Sequence, residues 1–303
     1  MRLEFYTLDV FSNKIFGGNP LAVFHNANEL SEDIMQKIAA EINYSETVFI
    51  QKPVNKNNTA KVKIFTPKNE LPFAGHPNVG TGFLLSTFPD LIPGEYSKNS
   101  MIFEELAGLV KIIPEYRENI VIGSRIEAPS KFEKSKEIPI SIISDCIESN
   151  ENLIIIENDP PVVAGVGLDF VIAEVKNLET LNNAKCNISA FEKADKEHGF
   201  GDDFFSLMIY SRGVEKNYHA RVFAPLSGIV EDAATGSACG ALGALLASQQ
   251  SGLESEYNFK IHQGQMINRP SLINVSVTKN KGVVQSTFIS GECILVSKGN
   301  FFI

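Results

Sequence analysis

Cysteine is scarce in this 303-residue sequence: Cys146, Cys186, Cys239 and Cys293 stand far apart, and no CxxC pair occurs. That leaves no disulfide framework or thiolate zinc motif and fits reduced thiols. Histidine is equally sparse. His25, His198, His219 and His262 share no metal-like spacing, so no metal site is expected. No Gly-x-Gly-x-x-Gly or Walker loop is present, and no apolar run reaches the length of a membrane span. Positive charge is in deficit, with 27 Lys and Arg against 36 Asp and Glu and a net charge of −9. Nucleic-acid partners need clustered Lys and Arg, so that class is excluded. The lysines at 131–136 alternate with acids and read as a solvated loop. The opening MRLEFYTLDVF alternates like a strand and lacks the charged start and apolar core of a secretory signal, so a cytoplasmic protein is expected.

What is present is an ordinary globular composition, 44% hydrophobic and 21% charged, long enough for one large or two medium domains. Strands are predicted over 2–10, 21–25, 45–50, 60–67, about 101–104, 108–113 and 119–124. Ser31 is an N-cap for a helix over 32–42, with Ile34, Met35, Ile38, Ala39 and Ile42 on one face. A second, wholly apolar helix is predicted over 76–88. The middle reads as a helix near 138–148, strands near 153–157 and 167–174, and helices near 177–184 and 188–196. Two strands, FFSLMIYSR and YHARVFAP, precede a helix starting near Gly236, and strands at 271–278, 283–289 and 292–297 close the chain. So many strands with so few helices argue against a regular alternation of strand and helix.

One pattern occurs twice. Lys63-Ile64-Phe65-Thr66-Pro67 matches Arg221-Val222-Phe223-Ala224-Pro225, and Glu70 precedes Gly75 by the spacing with which Glu231 precedes Gly236. His76 falls opposite Ser237, and each copy continues into a helix of small and apolar residues. The glycines lie 236 − 75 = 161 residues apart, about half the chain. One unit used twice predicts two domains of similar topology. A helix apolar on every side must be buried, yet its first N–H groups still need acceptors. Such an end attracts an anion, so two facing helix starts would hold a carboxylate between the domains. Taken singly, the glycines would be turn residues and His76 and Ser237 simple caps; the repetition favours a site.

The stretches GNPLAVF (18–24), YSETVFI (44–50), FTPKNELPFAGHPNVG (65–80), RVFAPLSGIVEDAATGSA (221–238) and QGQMINRPS (263–271) resemble, in order, the successive motifs of the PhzF-like phenazine-biosynthesis family. The resemblance implies a diaminopimelate-epimerase-like α+β fold: two pseudo-symmetric domains, each a mainly antiparallel sheet around a central buried helix, with the site between them. We place the first domain at 1–116 with 290–303 returning to it, and the second at 117–289. It also implies a cofactor-free isomerisation in which a glutamate moves a proton along a conjugated substrate. By motif position, Glu46 matches the proton-transfer glutamate and His76 a substrate-contacting histidine. Asp232 and Ser237 match polar contacts of the second half, and Asn19, Gly75, Thr235 and Gly236 are expected to bind substrate. The partner is a small carboxylate, and relatives are often homodimers. Ala233 stands where the family often has proline, which is expected to loosen the turn slightly; Asn78 and Ile267 also replace commoner residues.

The chemistry suits these residue types. A carboxylate that must take and return a proton near neutral pH needs burial to raise its pKa. Glu46 stands beside Val48-Phe49-Ile50, which would desolvate it. Outside the motif it would read as an edge-strand glutamate facing water. Two other readings share the fold. One is a binding or regulatory protein that kept the site and lost the reaction. The other is a racemase or epimerase, whose two-thiol form needs a cysteine at each helix start. Cys239 lies near the second start and nothing comparable near the first, so Cys239 reads as a small buried hydrophobe.

Overall fold

The alternation at the N-terminus becomes β1 (Arg2–Val10), with Leu8 and Val10 wholly buried. In this computed structural model residues 2–199 and 204–303 are described. The chain forms two compact units, one reaching Glu127 and completed by Ser290–Ile303, the other Ala128–Ile289. The first unit therefore runs past 116. Its strands β7 (Gly108–Arg117) and β8 (Ile120–Glu127) form a hairpin in register from Arg117↔Ile120 to Ile112↔Ile126, and the pairing keeps both strands together.

In the first unit β1 pairs antiparallel with β2 (Asn19–Phe24) and with the C-terminal part of β18 (Val283–Phe302). β2 runs parallel to β3 (Glu46–Gln51), with Leu21 opposite Glu46. β3 is antiparallel to β4 (Ala60–Phe65), which runs parallel to β6 (Met101–Glu105), and β6 is antiparallel to β7. Helix α1 (Glu32–Ile42) makes the crossover from β2 to β3. Ile34 N donates to Ser31 Oγ at its start, and Met35, Ile38 and Ala39 pack on Phe24, Phe49 and Phe65. Met35 and Ile38, fully buried, each contribute roughly 1.5–3 kcal/mol before chain entropy is counted, and the Ala39 methyl about 0.8 kcal/mol.

Between β4 and β6 lie the short β5 (Glu70–Leu71) and α2 (Gly75–Thr87). Every α2 residue from His76 to Ser86 is buried, so this helix has no solvent face. It touches β1, β2, β3, β7 and β8. Gly80 permits that approach: a Cβ there would lie 2.6 Å from Leu21 Cδ2 and 2.7 Å from Val10 Cγ2.

The second unit repeats the succession of pairings. β11 (Val162–Gly165) is antiparallel to β12 (Asp169–Val175), which is parallel to β13 (Leu207–Arg212). β13 is antiparallel to β14 (Asn217–Ala224), β14 parallel to β16 (Ser255–Gln263), and β16 antiparallel to β17 (Ser271–Asn280). Between β14 and β16 come β15 (Ile229–Asp232) and α6 (Gly236–Ser248), buried from Ala238 to Ala247. Gly240 and Gly243 bring α6 close to Val166, Ile289 and Val275. Helices α3 (Ile140–Cys146), α4 (Leu178–Asn183) and α5 (Ile188–His198) cover a core of Ile143, Leu181, Phe191, Phe205 and Phe223. Two-residue β10 (Ile154–Ile155) pairs with β12.

Three expectations need correction. The charged run at 131–136 is not a loop throughout: Glu133–Glu137 is strand β9, wholly exposed and paired with β11. Alternating charge suits a sheet edge because it discourages pairing with other chains. The strands β11 and β16 have no counterpart among the predicted elements. The strands expected at 283–289 and 292–297 are one continuous strand, β18. Gly291 within it marks a close backbone approach, since a Cβ at Gly123 would collide with Gly291 O. Among the described residues there are six α-helices, and no helix is long and apolar enough to cross a membrane.

Candidate active site

In the first unit the parallel pairing of β2 and β3 sets Asn19 beside the start of β3. Ser45 Oγ donates to Asn19 Oδ1 at 3.1 Å. The next residue, Glu46, keeps 16% of its side-chain surface exposed, and its Oε2 receives no hydrogen bond. Burial pushes its carboxyl up to about 7; the Ser45 hydroxyl pulls the other way and loses. Loss of solvent costs the charged form more than one hydroxyl returns.

His76 reaches this carboxyl from α2. Its Nε2 lies 3.5 Å from Glu46 Oε2, and its side chain is 6% exposed. Gly75 and His76 open the helix after Ala74, which has no side chain able to cap it. The N–H groups of this first turn have no acceptor within the helix. Asn78 steadies the turn, its Nδ2 donating to Ala74 O at 3.0 Å. Asn19, Glu46, Gly75 and His76 are thus brought together in the first unit. A carboxyl that exists in both forms near neutral pH, with an imidazole in reach, can take a proton and give it back.

In the second unit Asp232 ends β15 and is firmly tied. Its Oδ1 accepts from Ala233 N at 2.9 Å and its Oδ2 from Thr235 Oγ1 at 2.6 Å. Ala233 therefore does not loosen this turn: it supplies an N–H that proline lacks. Gln263, the last residue of β16, is wholly buried and staples the turn from the other side. Its Oε1 accepts from Thr235 N at 3.0 Å, and its Nε2 donates to Asp232 O at 2.9 Å and Thr235 Oγ1 at 3.0 Å. Ser271 Oγ donates to Ala233 O at 2.9 Å. Asp232, Thr235, Gly236 and Ser237 thus form a second group around the start of α6, with Ser237 half-buried.

Sequence reasoning left Ser45 and Gln263 without roles. Both stand in the quoted motifs, and an amide directly ahead of a glycine turn was the available signal for Gln263. Cys239 Sγ donates to Gln263 Oε1 at 3.5 Å, and burial pushes its thiol far above the usual range. Such a thiol is a poor base. Among the described residues no group of three His, Cys, Asp or Glu side chains gathers to hold a metal.

Comparison with known proteins bears on this geometry. The family model described as phenazine biosynthesis-like protein matches residues 8–299. The chain is 31% identical to trans-2,3-dihydro-3-hydroxyanthranilate isomerase of Pseudomonas chlororaphis, over 98% of each chain. It is 31% identical to antisense-enhancing sequence 1 of Schizosaccharomyces pombe, over 99% of each. A crystal structure of a PhzF-family phenazine biosynthesis protein from Bacillus anthracis superposes with a TM-score of 0.88 at 26% identity, covering both chains completely.

Proposed function

The chain belongs to the PhzC-PhzF family of phenazine biosynthesis-like proteins, and from that premise we propose a cofactor-independent isomerase in which Glu46 moves a proton. The substrate is a small carboxylated, amino-bearing cyclic or conjugated molecule. The observation that carries this reading is the buried Glu46 carboxyl, raised to about 7 and 3.5 Å from His76. As a carboxylate Glu46 takes a proton from one carbon; the C–H electrons shift the double bond, and the carboxyl returns a proton to another carbon. Nothing is oxidised or reduced, so no redox cofactor is needed. His76 holds the substrate carboxylate, or relays the proton. Asp232 and Ser237 contact polar groups of the substrate, as the family motifs imply, with Asn19, Gly75, Thr235 and Gly236 as further binding residues.

The fold is proposed to be pseudo-symmetric, each domain a sheet around its buried helix; the matching succession of strand pairings in the two units supports this. Because relatives are often homodimers, a homodimer is proposed for this chain as well, which light scattering at micromolar concentration tests.

The reaction is tested with trans-2,3-dihydro-3-hydroxyanthranilate, the compound named for the Pseudomonas relative, in deuterated water. Isomerised product carrying solvent deuterium at the receiving carbon is the expected result, with the rate collapsing in Glu46→Gln and barely changing in Cys239→Ser. The reverse pattern, an active Glu46→Gln and a dead Cys239→Ser, overturns the proposal in favour of thiol chemistry. Binding without turnover by the native protein gives the binding-protein reading.

A further inference from the structure

Two cysteines that the reaction above does not use are brought together in the second unit. Cys146 ends α3, and Cys186 lies in the segment between α4 and α5. They stand 186 − 146 = 40 residues apart in sequence. Two backbone hydrogen bonds bracket them: Lys185 N donates to Ile147 O at 3.0 Å, and Asn187 N to Cys146 O at 3.0 Å. Even fully stretched, the path from Cys146 Cα through the second of these bonds to Cys186 Cα spans at most about 8 Å. Disulfides join Cα atoms about 4.4–6.8 Å apart, within that limit. Both side chains meet one core: Cys146 belongs to the cluster of Ile143, Leu181 and Phe191, and Cys186 packs against it. Both are free thiols.

The two thiols differ in access. Cys146 is wholly buried and Cys186 half-buried. Burial pushes the Cys146 thiol up to about 12, with Asp145 and Cys186 adding to the rise. Cys186 is raised by burial and by Glu231, while Arg221 pulls it down. A reagent arriving from solvent therefore meets Cys186 first, with Cys146 behind it. The segment that carries Cys186 is also the one Arg221 grips. Arg221 Nη1 donates to Leu181 O, Asn182 O and Ala184 O. Its Nε and Nη2 hold Glu231, the residue before Asp232.

We propose that Cys146 and Cys186 form a dithiol modification site, which a small-molecule disulfide such as oxidised glutathione closes to an intramolecular disulfide in the folded protein. The Cys186 thiolate attacks one sulfur of the small disulfide, and the other half leaves as a thiolate. Cys146 then gives its proton to a departing thiolate and attacks Cys186 Sγ, and the half still attached leaves in turn. Two protein thiols are oxidised, one small disulfide is reduced to two thiols, and the two protons end on those thiols. The closed bond clamps the segment held by Arg221 to the end of α3.

The full chain is incubated with oxidised glutathione in mildly alkaline native buffer, its free thiols are alkylated, and its peptides are mapped without reduction by mass spectrometry. The native protein is expected to fall from four free thiols to two, with one peptide pair joining Cys146 to Cys186 and no glutathione retained. Dithiothreitol restores all four. Cys146→Ser stops after the first step and keeps glutathione on Cys186. Cys186→Ser leaves every remaining thiol free. A native chain that keeps four free thiols, or that retains glutathione on Cys186, overturns the proposal. So does a crosslink to Cys239 or Cys293, or one that forms only after urea has unfolded the chain. A Cys146→Ser chain that takes up no glutathione, or a Cys186→Ser chain that carries it on Cys146, overturns entry at Cys186 and the proposal with it.

Discussion

The starts of α2 and α6 are built on the same local plan and are finished differently. In both, a strand carrying a buried cation is followed by a short strand with its acidic partner, a turn, and a glycine that opens a buried helix. Lys63 donates to Glu70 at 3.0 Å in the first copy; Arg221 Nη2 donates to Glu231 at 2.7 Å in the second. Beyond that the copies diverge. At α6 the Asp232, Thr235 and Gln263 side chains satisfy one another and the turn. At α2 the oxygens Glu46 Oε2, Asn78 Oδ1 and both of Glu105 are buried without a hydrogen bond. Unsatisfied buried polar groups are costly, and of these the two carboxyls, Glu46 and Glu105, are raised by burial. The lesson is that two helix starts with matching ion pairs can still differ in how their remaining polar groups are satisfied.

The sharpest way to break this contrast is kinetic. Glu46→Gln preserves shape but cannot carry a proton, and general acid–base catalysis is worth on the order of 10² to 10⁴-fold. Turnover should fall by at least that range with KM little changed, whereas Ser237→Ala at the other start should act mainly on KM. Comparable losses of kcat from both would mean that the two starts share the chemistry.

The next effect compares the cations. Arg221 also donates to Leu181 O at 2.9 Å and Ala184 O at 2.7 Å, and its partner Glu231 is 9% exposed. Arg221→Met should cost about 3–5 kcal/mol, because it strands a buried carboxylate and the carbonyls of Leu181, Asn182 and Ala184. Lys63→Met should cost less, since one partner, Glu32, is 72% exposed and water replaces the lost bond. Shifts in the urea midpoint of the full chain measure both.

A pH scan sharpens the role of Glu46. Its folded carboxyl titrates at about 7 against an ordinary value of 4.5, so the folded state holds the extra proton between those limits. Stability is therefore fully present below about pH 4.5 and is lost as pH rises through about 7. The loss amounts to at most about 3 kcal/mol. Glu46→Gln should flatten that part of the curve, and the difference between variant and native midpoints isolates the residue; parallel curves would show that Glu46 is not desolvated.

The smallest effect concerns packing of the two buried helices. An Ala at Gly80 meets Leu21 Cδ2 at 2.6 Å and should cost about 1–3 kcal/mol through overpacking. At Gly240 the nearest atoms are Ile289 Cδ1 at 3.1 Å and Val166 Cγ2 at 3.2 Å, both side-chain ends that can shift, so Gly240→Ala should be milder in thermal unfolding. The opposite order would show that α6 is the more tightly enclosed helix.

Much of this was written in local sequence. Ser31 and the spacing of Met35, Ile38 and Ala39 produce α1 wherever it is placed, because capping and a 3.6-residue stripe are local properties. The wholly apolar stretches after Gly75 and Gly236 demand burial in any fold, and the resemblance of the motifs to the PhzF-like family pointed to Glu46, His76, Asp232 and Ser237. Tertiary structure decided what spacing cannot express. Whether 131–136 is loop or edge strand depends on a partner, β11, and the continuity of β18 through Gly291 depends on the strand facing it. Gln263 became the staple of the α6 turn, and Glu105 the neighbour of Asn78, only when residues 28 and 27 positions away folded against them. The raised carboxyls of Glu46 and Glu105 have the same origin. A pKa is set by the solvent and donors surrounding a group, and distant segments of chain supply or withhold both.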